Sequence, residues 1–344
     1  MKLSIAYLLE DTALFGGVKV VLHQANLLSR RGHRVTVVSK GPSPAWYPLE
    51  AEFLRVESFR AEALPAVDVT VATFWTTLQP AVEGARGEVA HLCQGFEGDL
   101  IHNREEHPAI LDAYRRRVPG LVVSPHLGRL LRERFRRPAR LVKQSLEDFW
   151  RIRGPLREGP APVPRILVTA PFEFYVKGVD VALKAVRRMR REGLECSLIR
   201  LSQWPMSRAE SAIVTADEYH ESIQPREVAG LMGNCDLLLA PSWPQEGFGL
   251  PVLEAMACGL PAVVSDIPAF RSFAAEAACL VPFDAPQAFA TAAVEILRDS
   301  ERWRRMREAG LAAAAGFSEE SAAQRLEEGL SWVATGEWRR DGGV

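Results

Sequence analysis

Apolar and polar positions fall in alternating blocks along the chain. LSIAYLL (3–9) is a short apolar run with polar flanks, the pattern of a strand covered on both faces. The loop EDTALFGG follows and ends on Gly16 and Gly17. VKVVLHQANLLSRRG then places apolar residues at helical spacing and stops at Gly32, where a left-handed exit costs least. RVTVVSK is a second strand. Strand, glycine turn, helix and strand together make the unit of parallel sheets, whose neighbouring strands need a crossover. VDVTVATF (67–74), EVAHLCQ (88–94) and GLVVSP (120–125) carry the rhythm on as further strands.

The rhythm breaks at RIRGPLREGPAPVP (151–164), which is rich in Pro and Gly and reads as a linker. It then restarts: RILVTA as strand, VDVALKAVRRMRREG as helix, LECSLIRL as strand, PREVAGLMGNC as helix, DLLLAPS as strand. A short helix PVLEAMACG, a strand PAVVSD, the stretch RSFAAEAACLVPF and a helix QAFATAAVEILRD close it. The expected architecture is two doubly wound, Rossmann-like α/β domains, 1–150 and 165–316, facing each other across a cleft. The tail, 317–344, contains FSEESAAQRLEEGLSWVATGEW, a last amphipathic helix with Ser318 as its N-cap and acids in its first turn. Because it lies beyond the second domain's alternation, it is expected to return to the first.

Composition narrows the function classes. A chain of 344 residues is too long for one ordinary core and suits two domains. A formal net charge of −1 argues against a dedicated nucleic-acid binder. The cysteines, Cys93, Cys196, Cys235, Cys258 and Cys279, are scattered and never form a Cys-x-x-Cys pair, so buried reduced thiols are expected. The opening MKLSIAYLLEDTALFGG has too short an apolar run for a secretory signal, and no stretch approaches the roughly 20 apolar residues of a spanning helix. These readings place the chain in a reducing cytoplasm.

The chemistry concentrates in PSWPQEGFGLPVLEAMACGLPAVVSD (241–266). DLLLAPS is apolar enough for a central strand, and open α/β sheets bind ligands beyond the carboxyl ends of their strands. Gly247 and Gly249 let the backbone turn tightly and bring its N–H groups toward a ligand. Pro251 suits the first position of a helix, whose amino end completes an anion site. Glu246 stands before the bend and Glu254 one helical turn after it; as acceptors, carboxylates grip vicinal hydroxyls on either side of a phosphate. The residues alone leave two readings open: a site cut for a sugar-nucleoside diphosphate, or a solvated loop acid beside an ordinary helical glutamate.

Glu246 and Glu254, with seven residues between them within this block, resemble the E-x7-E signature of family 4 glycosyltransferases, retaining enzymes of the two-domain GT-B fold. The resemblance is strong over 228–270 and continues in FGGVKVVLHQANLLSRRGHRVTVVSKG (15–41). It implies that Glu246 faces the donor sugar, that the backbone of Gly247, Phe248, Gly249 and Leu250 lies along sugar and diphosphate, and that Glu254 binds the ribose. It further implies that Gly16 and Gly17 close on the donor phosphate and that Lys177 neutralises the leaving diphosphate. The reaction implied is metal-independent, needs no cofactor, and is a front-face displacement on a UDP-, GDP- or dTDP-linked hexose. Its acceptor would be a hydroxyl of a glycan, a lipid-linked or a small molecule, and the role polysaccharide biosynthesis.

Three departures from the family pattern stand out. Phe172 occupies the position where an arginine is usual; Thr169, Ala170 and Pro171 still offer backbone contacts there. Gln94 stands where many members have a histidine, and Gln-Gly-Phe-Glu (94–97) is similar to an element of surface-glycan rhamnosyltransferases, which makes Gln94 and Glu97 candidates for holding sugar or acceptor. The glycine loop reads GGVK, without the acid that often follows.

Other features point less far. His102 and His107 are five apart, the wrong spacing for one helical face, and no Asp-x-Asp motif suggests a metal. Trp75 and Trp243 each follow the carboxyl end of an expected strand. Residues 104–140 hold YRRRVPG and LLRERFRRPAR, either a solvated arginine face or a peripheral contact with anionic lipid on the inner face of the membrane. Two further classes remain beside the transferase: a sugar-nucleotide 2-epimerase of the same fold, and a degenerate, nucleotide-sugar-binding partner subunit.

Overall fold

A computed structural model describes residues 1–152 and 157–340. Residues 153–156 of the expected linker and 341–344 of the expected tail lie outside the described residues. The chain divides into two compact units, Met1–Ser145 with Ser318–Val344, and Leu146–Phe317.

The first unit runs β1 (Ser4–Leu9), α1 (Gly16–Arg30), β2 (Arg34–Ser39), β3 (Glu52–Arg55), β4 (Val69–Ala72), α2 (Trp75–Gly84) and β5 (Glu88–Cys93). It continues with α3 (His107–Arg115), β6 (Gly120–Val122), α4 (Pro125–Phe135) and β7 (Ala139–Leu141). The strands form one parallel sheet in the order β3-β2-β1-β4-β5-β6-β7. β1 is buried from Ile5 to Leu9, as a central strand with helices on both faces must be. β3, with the sequence EFLR, is mostly exposed at the edge, so it carries no apolar run to announce it.

In the second unit, β8 (Arg165–Thr169), α5 (Val179–Arg191), β9 (Ser197–Ser202), α6 (Arg208–Ser211), β10 (Glu218–Glu221), α7 (Pro225–Gly233) and β11 (Leu237–Ala240) come first. α8 (Leu250–Ala257), β12 (Ala262–Ser265), α9 (Pro268–Arg271), β13 (Cys279–Val281), α10 (Pro286–Arg298) and α11 (Ser300–Ala315) follow. The sheet is again parallel, in the order β10-β9-β8-β11-β12-β13. The strand order reverses between β8 and β11, and it is there that doubly wound sheets open a crevice for ligands. Beneath it the core packs Val179, Leu183 and Val186 of α5 with Phe289 and Ile296 of α10 against Val168 and Leu239. α11, which no apolar run foretold, buries Trp303, whose indole N–H donates to the Asp236 carbonyl at 2.7 Å.

The tail helix α12 (Glu319–Ala334) belongs to the first unit. Ser318 Oγ caps it by accepting from the Ser321 N–H at 3.2 Å. Glu327 on its face accepts from Arg31 at 2.7 Å and meets His33 Nε2 at 2.9 Å. Those partners hold its carboxyl down at about 2, the Arg31 hydrogen bond contributing most. At Gly329 the helix comes so near β6 that an added Cβ would stand 2.9 Å from Leu121 Cδ2. The four cysteines Cys93, Cys196, Cys235 and Cys258 are buried, Cys279 is half-buried, and all five are free thiols.

Candidate active site

In the second unit the two loops at the strand-order reversal carry the expected site residues. β11 ends at Ala240, and the chain then bends through Gly247 and Gly249 before α8 begins at Leu250, one residue ahead of Pro251. Gly249 sits at φ +88°, and an added Cβ would meet the Phe270 ring at 2.3 Å, so only glycine fits. The Phe248 ring lies flat on Phe273, with centroids 4.6 Å apart and planes 13° from parallel. Its side chain is committed to packing, which leaves Phe248 its backbone for any ligand. Among the described residues, the N–H groups of Gly247, Phe248 and Gly249 donate to no protein acceptor. α8 has neither a side-chain cap nor an acid in its first turn. Free amides and an open helix end together are the groups by which a helix start can hold an anion. Gln245 Oε1, in the same bend, is buried without a donor among the described residues.

The other loop follows β8. Lys177 closes a 3-10 turn, Tyr175–Lys177, and Gly178 at φ +59° is the N-cap of α5. A Cβ on Gly178 would lie 2.1 Å from the Pro241 carbonyl oxygen, and the Trp243 N–H donates to Val176 O at 2.7 Å. The two loops are therefore locked together. Lys177 Nζ donates to Glu246 Oε2 at 2.7 Å; Glu246 is 8% exposed and the Lys177 side chain 24%. A lysine held this way is no solvated lysine, and Glu246 is no solvated loop acid. Glu254, also 8% exposed, is the fifth residue of α8, below the bend.

Thr169 ends β8, half-buried, and Ala170 follows at φ +90°, a strained setting for alanine. The Arg200 guanidinium pins that strand end, donating to Val168 O at 2.5 Å and Ala170 O at 2.8 Å. Its Nε donates to Glu210 at 2.6 Å, and both side chains are buried. Arg200 is a cation near the site that nothing in the sequence marked. Its donors go to backbone carbonyls and its charge is paired with buried Glu210, so it stiffens the strand end. Phe172 packs partly buried against the core. Trp243, marked in the sequence as following a strand's carboxyl end, stands in an aromatic group whose other members the sequence did not mark, 5.6 Å from Phe283 and 6.1 Å from Tyr175.

In the first unit Gly16 and Gly17 open α1. Gln94, just past β5, donates through Nε2 to Gly17 O at 3.0 Å, so these two candidates meet. Glu97 turns inward. Tyr114 Oη lies 2.5 Å from its Oε2, and the Trp75 N–H also reaches this carboxyl. Although part of the residue stays at the surface, the carboxyl is desolvated and its pKa is pushed up to about 7. His91 is buried and takes a hydrogen bond from Arg137 at 3.2 Å; burial, aided by that cation, keeps it neutral. His107 Nδ1 meets Gly98 O at 2.8 Å. Among the described residues no three His, Cys, Asp or Glu side chains are grouped to hold a metal ion.

Comparison with known proteins agrees with this architecture. The chain is similar to solved structures that share it over nearly their full length. Sucrose-phosphate synthase from Thermosynechococcus elongatus superposes with a TM-score of 0.75 at 15% identity, covering 94% of this chain and 97% of that one. Anabaena HepE, solved in complex with UDP-glucose, gives 0.75 at 13% identity over 96% of this chain and 99% of that one. The fold is GT-B, the two-domain Rossmann-like fold of glycosyltransferases. Residues 163–299 match the family described as Glycosyl transferases group 1. Among curated proteins, the GDP-mannose-dependent alpha-(1-6)-phosphatidylinositol dimannoside mannosyltransferase of Mycobacterium tuberculosis is 33% identical over 132 residues. That alignment covers 38% of this chain and about a third, 34%, of the relative's length.

Proposed function

We propose that the chain is a retaining glycosyltransferase that moves a hexose from a nucleoside-diphosphate sugar to an acceptor hydroxyl. The observation that carries this reading is the bend at 247–249: three free backbone amides and an open helix end, beside a lysine ion-paired to Glu246. Pyrophosphate fits the amides, and Lys177 offsets the charge that grows on it as the glycosidic bond breaks. Glu246, freed from Lys177 by that incoming charge, turns to the sugar hydroxyls. Glu254 takes the ribose. No protein nucleophile is required in a front-face displacement, so the protein orients donor and acceptor and stabilises charge. Within the first unit, Gly16, Gly17 and Gln94 are a separate candidate cluster for sugar or acceptor.

The mycobacterial similarity makes GDP-mannose the first donor to test. Calorimetric titration with GDP, UDP, ADP and dTDP, followed by transfer assays with the matching sugars, checks the reading. One diphosphate should bind at least tenfold better than the others, and its sugar should be released or transferred by pure protein, in EDTA as well as without it. Binding of none of them, or binding without turnover, contradicts a transferase; the latter result fits the partner-subunit class.

The acceptor side is proposed from the basic run. α4 buries Leu127, Gly128 and Leu131 and exposes Arg129, Arg132 and Arg134, with Arg136 following. Arg137 is turned inward, so the run is not uniformly solvated. The exposed arginines are suited to an anionic lipid surface or lipid-linked acceptor. Flotation with anionic vesicles should recover the protein, and charge reversal at Arg129 and Arg132 should release it; equal recovery on neutral vesicles contradicts the contact. Among the described residues no helix is long and apolar enough to cross a membrane.

A further inference from the structure

The segment after β5 is held from below by a group whose hydrogen bonds do not balance unless one acid keeps its proton. Tyr114 Oη, fully buried on α3, lies 3.0 Å from the Gly95 carbonyl oxygen and 2.5 Å from Glu97 Oε2. A tyrosine hydroxyl has one proton to give. If it goes to Gly95 O, the short contact with Glu97 needs a proton from the carboxyl. If it goes to Glu97, two lone pairs face each other at Gly95. Both contacts are hydrogen bonds only when Glu97 is the donor to Tyr114 and Tyr114 the donor to Gly95.

We propose that Tyr114 is a positioning residue for Gln94, and that it works through a protonated Glu97 whose proton completes a chain from carboxyl to hydroxyl to the Gly95 carbonyl. The rest of the segment is tied down independently. Asn103 Nδ2 donates to Glu97 O at 3.0 Å, and the Phe96 ring packs 4.8 Å from Tyr114. Gln94, next to Gly95, reaches Gly17 from this base. When Glu97 ionises, the single tyrosine proton goes to the carboxylate, since a charged acceptor binds it more strongly. Among the described residues, Gly95 O then keeps only the Cys93 thiol, 3.2 Å away. The segment is tight while Glu97 is protonated and loosens as pH rises through its titration.

Other titratable or charged groups of the surrounding elements are few. On β5, burial keeps Cys93 a thiol, pushed up to about 12, and His91 neutral. On α3, Tyr114 stays protonated and His107 holds the Gly98 carbonyl. Asp99 pairs with Arg134 at 3.3 Å, and Arg134 also covers the Phe96 ring. Arg137 lies behind Tyr114, spent on Val118 O, Tyr114 O and His91. α2 contributes the Trp75 N–H.

The consequence for catalysis, a misplaced Gln94, rests on the transferase reading; the test below uses no substrate, so the two can fail separately. Hydrogen exchange is followed in the full chain at residues 94–99, as protection factors corrected for intrinsic rate, at pH 6 and pH 8. Wild type should lose several-fold protection at pH 8. E97Q, whose amide is a permanent donor to Tyr114, should stay protected at both values. Y114F should be poorly protected at both. The proposal is overturned by wild-type protection that does not change with pH, by a pH dependence that survives in E97Q and so belongs to His107, or by Y114F behaving as wild type.

Discussion

Lys177 and Glu246, 69 residues apart in sequence, meet at 2.7 Å across the two loops that leave the sheet where its strand order reverses. Each charge is satisfied by the other, and in the proposed donor site a diphosphate and a sugar would take the partners' places. Removing either partner strands the other in a mostly buried place. E246A and K177A should each lower turnover with saturating donor by about 10²–10³, the scale of a lost transition-state contact. The double variant should cost far less than the product of the two, because the groups act as one unit. Near-normal turnover by E246A would remove Glu246 from the reaction.

Glu254 makes a different prediction, because it sits within α8, four residues past the start of the helix, and is proposed to hold the ribose and not the reacting sugar. E254Q should weaken nucleoside-diphosphate binding by about 1.5–3 kcal/mol, the worth of a hydrogen bond to a charged group, while turnover at saturation changes little. Calorimetry separates this from a general loss: if E254Q binds as tightly as wild type, the ribose is held elsewhere.

Gly249 combines a left-handed backbone with an aromatic wall 2.3 Å from where a Cβ would stand. G249A should lower stability by at least about 2 kcal/mol, from backbone strain and the displaced Phe270 ring, and abolish donor binding. Thermal melts and titration of the same sample check both. A variant that melts like wild type would mean that the bend tolerates a side chain.

How legible was this in the sequence? Central strands were, because β1, β8 and β11 are covered on both faces and so read as unbroken apolar runs. Edge strands β3 and β10, EFLR and EYHE, were not, since neither has a fully buried position and charged residues interrupt both. The bend was visible because glycines, proline and acids must follow one another there. The Lys177–Glu246 contact was invisible, as no local pattern records which loops the topology brings together. Nor does any spacing show that Glu97 turns its carboxyl inward, or that Arg200 supports Ala170 without reaching the bend.

The tail helix supplies a pH prediction. Glu327 is held at about 2 against an ordinary 4.5, so folding favours its ionised form. That contribution is full above 4.5 and is lost as pH falls toward 2. At neutral pH, E327A should lower the melting temperature by about 2–4 °C, roughly 1 kcal/mol for a unit of this size. The difference from wild type should shrink between pH 4.5 and 2. A constant difference would assign the loss to packing and not to the Arg31 and His33 contacts.

The most direct test of the central claim is a crystal structure with the preferred nucleoside diphosphate. Phosphate oxygens should lie on the amides of Gly247 to Leu250, Lys177 should have moved from Glu246 onto the diphosphate, and the ribose should rest on Glu254. A nucleotide bound elsewhere, with the Lys177–Glu246 pair intact and the bend empty, would contradict it.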